Sequence, residues 1–157
     1  MIGTVVIITE ADLDNPAVAA FLQAHLDDIA PTAPQCSQHA LDLEGLRRPG
    51  VRLWVAHDEE PIGTVALVPV AGDNRHEELK SMRTDPARRG QGVASSLLLH
   101  AMQDAADRGV RRVSLETGSM AFFAPARALY QRHGFSVCTP FGEYGPDPHS
   151  TFMTRQV

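Results

Sequence analysis

The alternation and spacing of apolar positions divide the chain into short elements. TVVIITE, residues 4–10, concentrates β-branched residues and predicts a strand. Behind it Val18, Phe21, Leu22, Leu26 and Ile29 recur at helical spacing, which predicts a helix capped by Asp14 or Asn15, opened by Pro16 and ended by the prolines of APTAPQ. A second short helix is predicted over 39–47, HALDLEGLR, with Gly45 as its weak point. VRLWVAHD and IGTVALVPV flank EEP, a pattern that predicts an antiparallel hairpin. The next strand, HEELKSMRT, carries its apolar side chains at Leu79 and Met82, which alternation places on opposite faces; a bulge between them reconciles the phase.

Val93, Ala94, Leu97, Leu98, Ala101, Met102 and Ala105 form the clearest apolar stripe in the chain, and Gly109 closes that helix. RRVSLET reads as a strand, Pro125–His133 as a helix with proline in its first turn, and GFSVCT and STFMTRQ as two more strands. The order is therefore strand, two helices, three strands, helix, strand, helix, two strands. Without repeats or low-complexity segments, that order suits one mixed α/β layer structure over residues 1–157.

Composition narrows the partners. At 43% hydrophobic and 21% charged residues the chain has globular proportions, and a net charge of -5 speaks against a polyanion binder, so no nucleic acid is expected. Lys80 is the single lysine among 14 basic residues; arginine suits bidentate phosphate contacts, and genomic base composition explains such a bias equally well. Cys36 and Cys138 match no metal or redox spacing and read as packed, reduced thiols. His25, His39, His57, His100, His133 and His149 show no ligand spacing, so no metal is assigned and core or surface roles are expected for them. The start MIGTVVIITE lacks a basic n-region and meets Glu10 and Asp12 early, so no membrane segment is expected and the cytoplasm is the simplest location.

The richest chemistry lies in MRTDPARRGQGVASSLLLHAM, residues 82–102. A strand, a Gly-rich turn and a helix start together direct backbone N–H groups and the positive end of a helix dipole at one point, which is an anion site. Gly90 and Gly92 remove Cβ atoms where a diphosphate must approach, and Arg88 or Arg89 can add charge. An NTPase phosphate loop needs a lysine that is absent from this loop. A dinucleotide fingerprint needs a third glycine where Ser95 stands, and an early strand.

RGQGVA, Arg89–Ala94, fits the R/Q-x-x-G-x-G/A pattern of the GNAT acetyltransferases, and ALYQRHGF, residues 128–135, resembles the LYxxxGF segment of that family. The resemblance implies a GNAT fold: mixed α/β, with a central, mostly antiparallel twisted sheet of about seven strands flanked by about four helices. It implies an N-acetyltransferase with acetyl-CoA as cosubstrate and a small-molecule amine, amino-acid-like or otherwise, as acceptor; a homodimer is left open. On this likeness Met82, Arg83 and Thr84 lend backbone groups to the pantetheine arm, Arg89, Gly90, Gln91, Gly92, Val93, Ala94 and Ser95 hold the pyrophosphate, and Tyr130 protonates the leaving thiolate. Glu78, eleven residues before Arg89, stands where some members place a base, although Glu77 adjoins it and both equally suit a solvated surface; Glu116 and His76 are weaker candidates. Where members often carry asparagine after the fifth strand this chain has LETGSMAFFAPAR, with Thr117, Gly118 or Ser119 as substitutes.

Between the last two strands, CTPFGEYGPDPHSTFM carries Gly142, Gly145, Pro146 and Pro148 beside Glu143, Tyr144, Asp147 and His149. In the GNAT architecture this loop borders the acceptor cleft; an ordinary turn is the plainer alternative. Similar tails occur in small bacterial members of the family. The rival to an enzyme is a GNAT-like module that binds acetyl-CoA as a sensor without turnover, and Tyr130 discriminates the two.

Overall fold

Residues 6–32 and 40–157 are described by the computed structural model. Among them four α-helices and seven strands follow the order read from the sequence: β1 (Ile7–Glu10), α1 (Pro16–Ile29), α2 (Leu43–Leu46), β2 (Arg52–His57), β3 (Pro61–Val70), β4 (Asp73–Thr84), α3 (Val93–Asp107), β5 (Arg112–Gly118), α4 (Ala124–Arg132), β6 (Ser136–Val137) and β7 (Ser150–Gln156). The strands form one sheet in the order β1-β2-β3-β4-β5-β7-β6. Every neighbouring pair is antiparallel except β4 and β5, which run parallel with α3 as their crossover.

Local chemistry sets the element ends. Asn15, rather than Asp14, caps α1, its side chain accepting from the Ala17 N–H at 2.9 Å. The second helix is shorter than predicted, because Asp42 caps it directly through the Gly45 N–H at 2.8 Å; position 39 and Cys36 lie outside the described residues. β6 is two residues long where a longer strand was expected. After it the Cys138 N–H still bonds the Phe152 carbonyl at 2.9 Å, and Pro140, having no N–H, ends the ladder.

The bulge predicted between Leu79 and Met82 is present. Ala66 faces Lys80 and Thr64 faces Arg83, so Val65 of β3 stands against both Ser81 and Met82 of β4. Ser81 takes φ 55, a left-handed conformation that costs a non-glycine residue on the order of 1 kcal/mol. The buried Thr64 hydroxyl donates to the Ser81 carbonyl at 2.8 Å and holds this turn of the backbone. Pairing between β4 and β5 runs from His76↔Arg112 to Leu79↔Leu115 and stops at the bulge. Beyond it Lys80–Thr84 and Glu116–Gly118 form two walls of a gap in the sheet.

One face of the sheet packs Trp54, Val65, Leu67, Leu79 and Leu115 against Leu97, Leu98 and Ala101 of α3 and Tyr130 of α4. The other packs Leu53, Val55 and Ala66 against Val18 and Leu22 of α1 and Leu46 of α2. α3 approaches β3 closely: a Cβ on Gly63 would lie 2.8 Å from both Leu97 Cδ1 and Val93 Cγ1. Glu77 points toward the end of α3, where the Arg108 guanidinium donates to both its carboxylate oxygens at 2.7 and 2.9 Å. That contact settles which way the Glu77–Glu78 pair alternates: Glu78 and Lys80 occupy the opposite face.

Thr64→Val removes the bond to the bulge while keeping the side-chain shape. The urea midpoint should fall by an amount worth about 1–2 kcal/mol with the m-value unchanged; an unchanged midpoint would show that the Ser81 carbonyl does not depend on Thr64.

Candidate active site

The loop after β4 opens a groove of about 400 Å³ bounded by Met82, Arg83 and Thr84, by Arg88, Arg89, Gly90 and Gly92, by Val93, Ala94 and Ser95, and by α4. Gly92 is the N-cap of α3 at φ 81 and supplies no side-chain cap, so the first N–H groups of the helix point at the groove unpaired by any cap. Gly90 has φ 78, and among the described residues no atom beyond the adjoining ones lies within 4 Å of the place a Cβ would take at either glycine. The loop arginines differ in what they do. Arg88 pairs with Asp58 of the β2–β3 turn, whose carboxyl is held below the ordinary range by the Glu60 and Glu59 N–H groups and by Arg88. Arg89 is exposed on the rim, and Gln91 is exposed at the loop tip, outside the groove lining.

Arg83 leaves β4 just beyond the bulge and turns toward α1. Its guanidinium donates to Asp28 at 2.7 Å and lies 5.2 Å from the centre of the Phe21 ring. Its Nε is buried without a partner among the described residues. The Arg83 hydrogen bond lowers the Asp28 pKa. Burial, with the Arg83 charge, pushes the neighbouring His25 down to about 4.

Beside the groove, in the gap between β4 and β5, lies a cleft of about 150 Å³ whose polar lining includes Lys80, Glu116, Thr117, His149, His25 and Tyr130. Tyr130 is 5% exposed, and burial raises its phenol well above its ordinary value, so it stays protonated. Its ring packs on Phe135, with 5.8 Å between centroids. Glu78 does not line the cleft. It accepts from the Tyr144 hydroxyl at 2.5 Å and pairs with Lys80 at 3.2 Å, and Lys80 in turn donates to the Tyr144 oxygen at 2.9 Å. The Tyr144 phenol is raised by burial and by the Glu78 charge. Lys80 and Glu78 therefore form a desolvated pair, of which the ammonium belongs to the cleft wall. Glu116 accepts from Ser150 at 2.8 Å and stands across the gap from Lys80.

The last loop thus contributes through Tyr144 and His149, while Asp147 accepts from the His149 N–H at 2.8 Å and Glu143 is exposed. Thr117 and Gly118 line the cleft, and the Gly118 carbonyl accepts from Arg127 at 2.6 Å. Ser119 instead bonds the Pro148 carbonyl at 2.7 Å. His76 bonds Ser114 at 2.6 Å, away from the cleft lining, and His133 bonds Ser95 at 3.1 Å. Cys138 is half-buried with its thiol pushed up by burial; His39 lies outside the described residues. Lys80 and His25 are the site-wall residues that pattern reading passed over. Lys80 had a signal, as the only lysine, placed two positions from Glu78 and so on its face of the strand. Among the described residues no set of three metal-ligating side chains converges, and no helix is long and apolar enough to cross a membrane.

Residues 10–135 match the model of the Acetyltransferase (GNAT) family. The chain is 45% identical over 147 residues to the uncharacterized N-acetyltransferase YsnE of Bacillus subtilis, covering 93% of this chain and 96% of that one. It is 43% identical over 143 residues to the uncharacterized N-acetyltransferase YedL of Escherichia coli, covering 91% and 89%. In fold it is similar to an acetyltransferase from Streptococcus agalactiae, with a TM-score of 0.77 over 97% of this chain and 98% of that one, at 21% identity.

Because His25 titrates near 4 when folded and near 6.5 when unfolded, the unfolded chain binds the extra proton between those values. Stability conferred by the neutral imidazole is complete above about pH 6.5 and is lost as the pH falls toward 4. Urea titrations at pH 7, 6, 5 and 4.5 should show the loss steepening toward about 1.4 kcal/mol per pH unit from this group. His25→Gln should flatten the profile, and equal slopes for both proteins would contradict the assignment.

Proposed function

The chain belongs to the GNAT acetyltransferase family, and we propose that it acts as a single domain that transfers the acetyl group of acetyl-CoA to the amine of a small, polar, amino-acid-like acceptor. The observation that carries this reading is the meeting of an anion-binding groove with a polar cleft at the break in β4–β5 pairing. The groove suits the cosubstrate on its own features: an uncapped helix start and two left-handed glycines with open space at their Cβ positions.

Acetyl-CoA supplies an activated acyl carbon and a thiolate leaving group. The N–H groups of Gly92, Val93, Ala94 and Ser95 take the pyrophosphate with Gly90 beneath it and Arg89 at the rim, Gln91 adding only backbone. Met82, Arg83 and Thr84, past the last β4–β5 pair, keep backbone groups on that edge for the pantetheine amides, and Thr117 faces them across the gap. Tyr130 donates its proton to the departing sulfur. The desolvation that raises the phenol also raises the basicity of a thiolate in the same cleft, so donor and acceptor stay matched. Glu78 works at one remove, fixing the Lys80 ammonium in the wall together with Tyr144, while Lys80 and Glu116 set the polarity of the acceptor.

Incubating a panel of amines and amino acids with acetyl-CoA and following free thiol identifies the acceptor class. With the best acceptor, Tyr130→Phe should lower kcat by about 100-fold while acetyl-CoA affinity holds, as expected for a group that acts only in the transition state. Unchanged turnover in that variant removes Tyr130 from the reaction, and binding of acetyl-CoA without thiol release for any amine favours the sensor reading.

A further inference from the structure

Five described residues line both the groove and the cleft: His25, Ile29, Met82, Phe123 and Ala126. Four of these side chains are apolar, so among the described residues His25 is the one polar side chain at the seam. Its ring nitrogens have no hydrogen-bond partner among the described residues, yet they are not sealed from the cavities as Arg83 Nε is. A half-buried imidazole whose nitrogens open into both cavities is placed to meet a ligand.

An acyl group carried on a chain in the groove and an amine held in the cleft must meet where the two cavities join. We propose that His25 accepts a hydrogen bond from the acceptor amine at this seam and so turns the nitrogen lone pair toward the thioester carbon. The inference rests on the transfer reading above. It gives His25 a part that no carboxylate of the site fills, because Asp28 lines only the groove, Glu116 lines only the cleft, and Glu78 lines neither. A carboxylate at the seam would also stabilise the ammonium form, which has no lone pair to give; a neutral imidazole accepts an N–H without that penalty. Burial and the charge of Arg83, offset in part by Asp28, keep His25 neutral at physiological pH. In the step it serves, the nitrogen forms the C–N bond and the C–S bond breaks. Sulfur keeps that electron pair and takes a proton from Tyr130, and the surplus amine proton leaves to solvent, from which Tyr130 is restored.

The test has a spectroscopic arm and a kinetic arm. In protein labelled with 13C at histidine Cε1, the His25 resonance, identified by its loss in His25→Gln, should move on adding acetyl-CoA and move less on adding coenzyme A, which lacks the acyl group. With an amine that releases thiol, His25→Leu should lower kcat about 30-fold at unchanged acetyl-CoA affinity, and His25→Gln, whose amide oxygen still accepts an N–H, about threefold. Wild-type turnover in His25→Leu, an equal loss in His25→Gln, or a loss of affinity matching the loss of rate would each overturn the proposal. If thiol is released while the resonance stays still, the His25 contact alone falls. If the resonance moves while no amine releases thiol, the transfer reading falls and the amine contact with it, leaving His25 placed at the acyl end.

Discussion

The site depends on one strained residue. Ser81 holds φ 55 in the middle of a strand, and that single left-handed step places Ser81 and Met82 against Val65 alone. An unbroken β4 would continue its ladder with β5 past Leu79 and close the sheet. With the bulge, the outer part of β4 leaves β5, its backbone groups are released from the ladder, and the gap becomes a cleft. The cost is met from the neighbouring strand, where a threonine occupies a fully buried position and spends its hydroxyl on the Ser81 carbonyl. A hydrophobe at position 64 would suit the core better and the bulge worse.

Around the gap, charge is sorted by what each group is bound to. Glu77 is committed to Arg108, Asp58 to Arg88, Asp28 to Arg83, and Glu78 to Tyr144 and Lys80. These pairs fix elements to one another: the hairpin turn to the glycine loop, α1 to β4, the last loop to the middle of the sheet. The groove keeps the donors suited to a phosphate, the cleft keeps one ammonium and one carboxylate on facing walls, and the seam keeps a neutral imidazole. On the proposed reading these are separate places for an anionic cosubstrate, a polar acceptor and an uncharged amine nitrogen.

Most of the frame was legible because it is written in local pattern. The α3 stripe, the glycine loop, the hairpin and even the bulge leave traces within a dozen residues, the last as a phase slip between Leu79 and Met82. Contacts made across the chain leave no such trace. Glu78 reads as a candidate base on its strand, and nothing near it in sequence reveals that Tyr144, 66 residues away, covers its carboxylate. His25 lies three residues after Leu22 and four before Ile29, at a position where the apolar stripe of α1 calls for a hydrophobe; that misfit is a signal, but its meaning comes only from the two cavities that meet there. The short β6 and α2 were overextended for a related reason, since a proline and a capping aspartate act more locally than hydrophobic pattern does.

Amide hydrogen exchange with and without acetyl-CoA tests most directly whether the bulge creates the binding site. The account predicts that protection appears together at Met82–Thr84 and at Gly90–Ser95, the released strand edge and the uncapped helix start, with β2 and β7 unchanged. Protection confined to another surface, or at the loop without the strand edge, would contradict it.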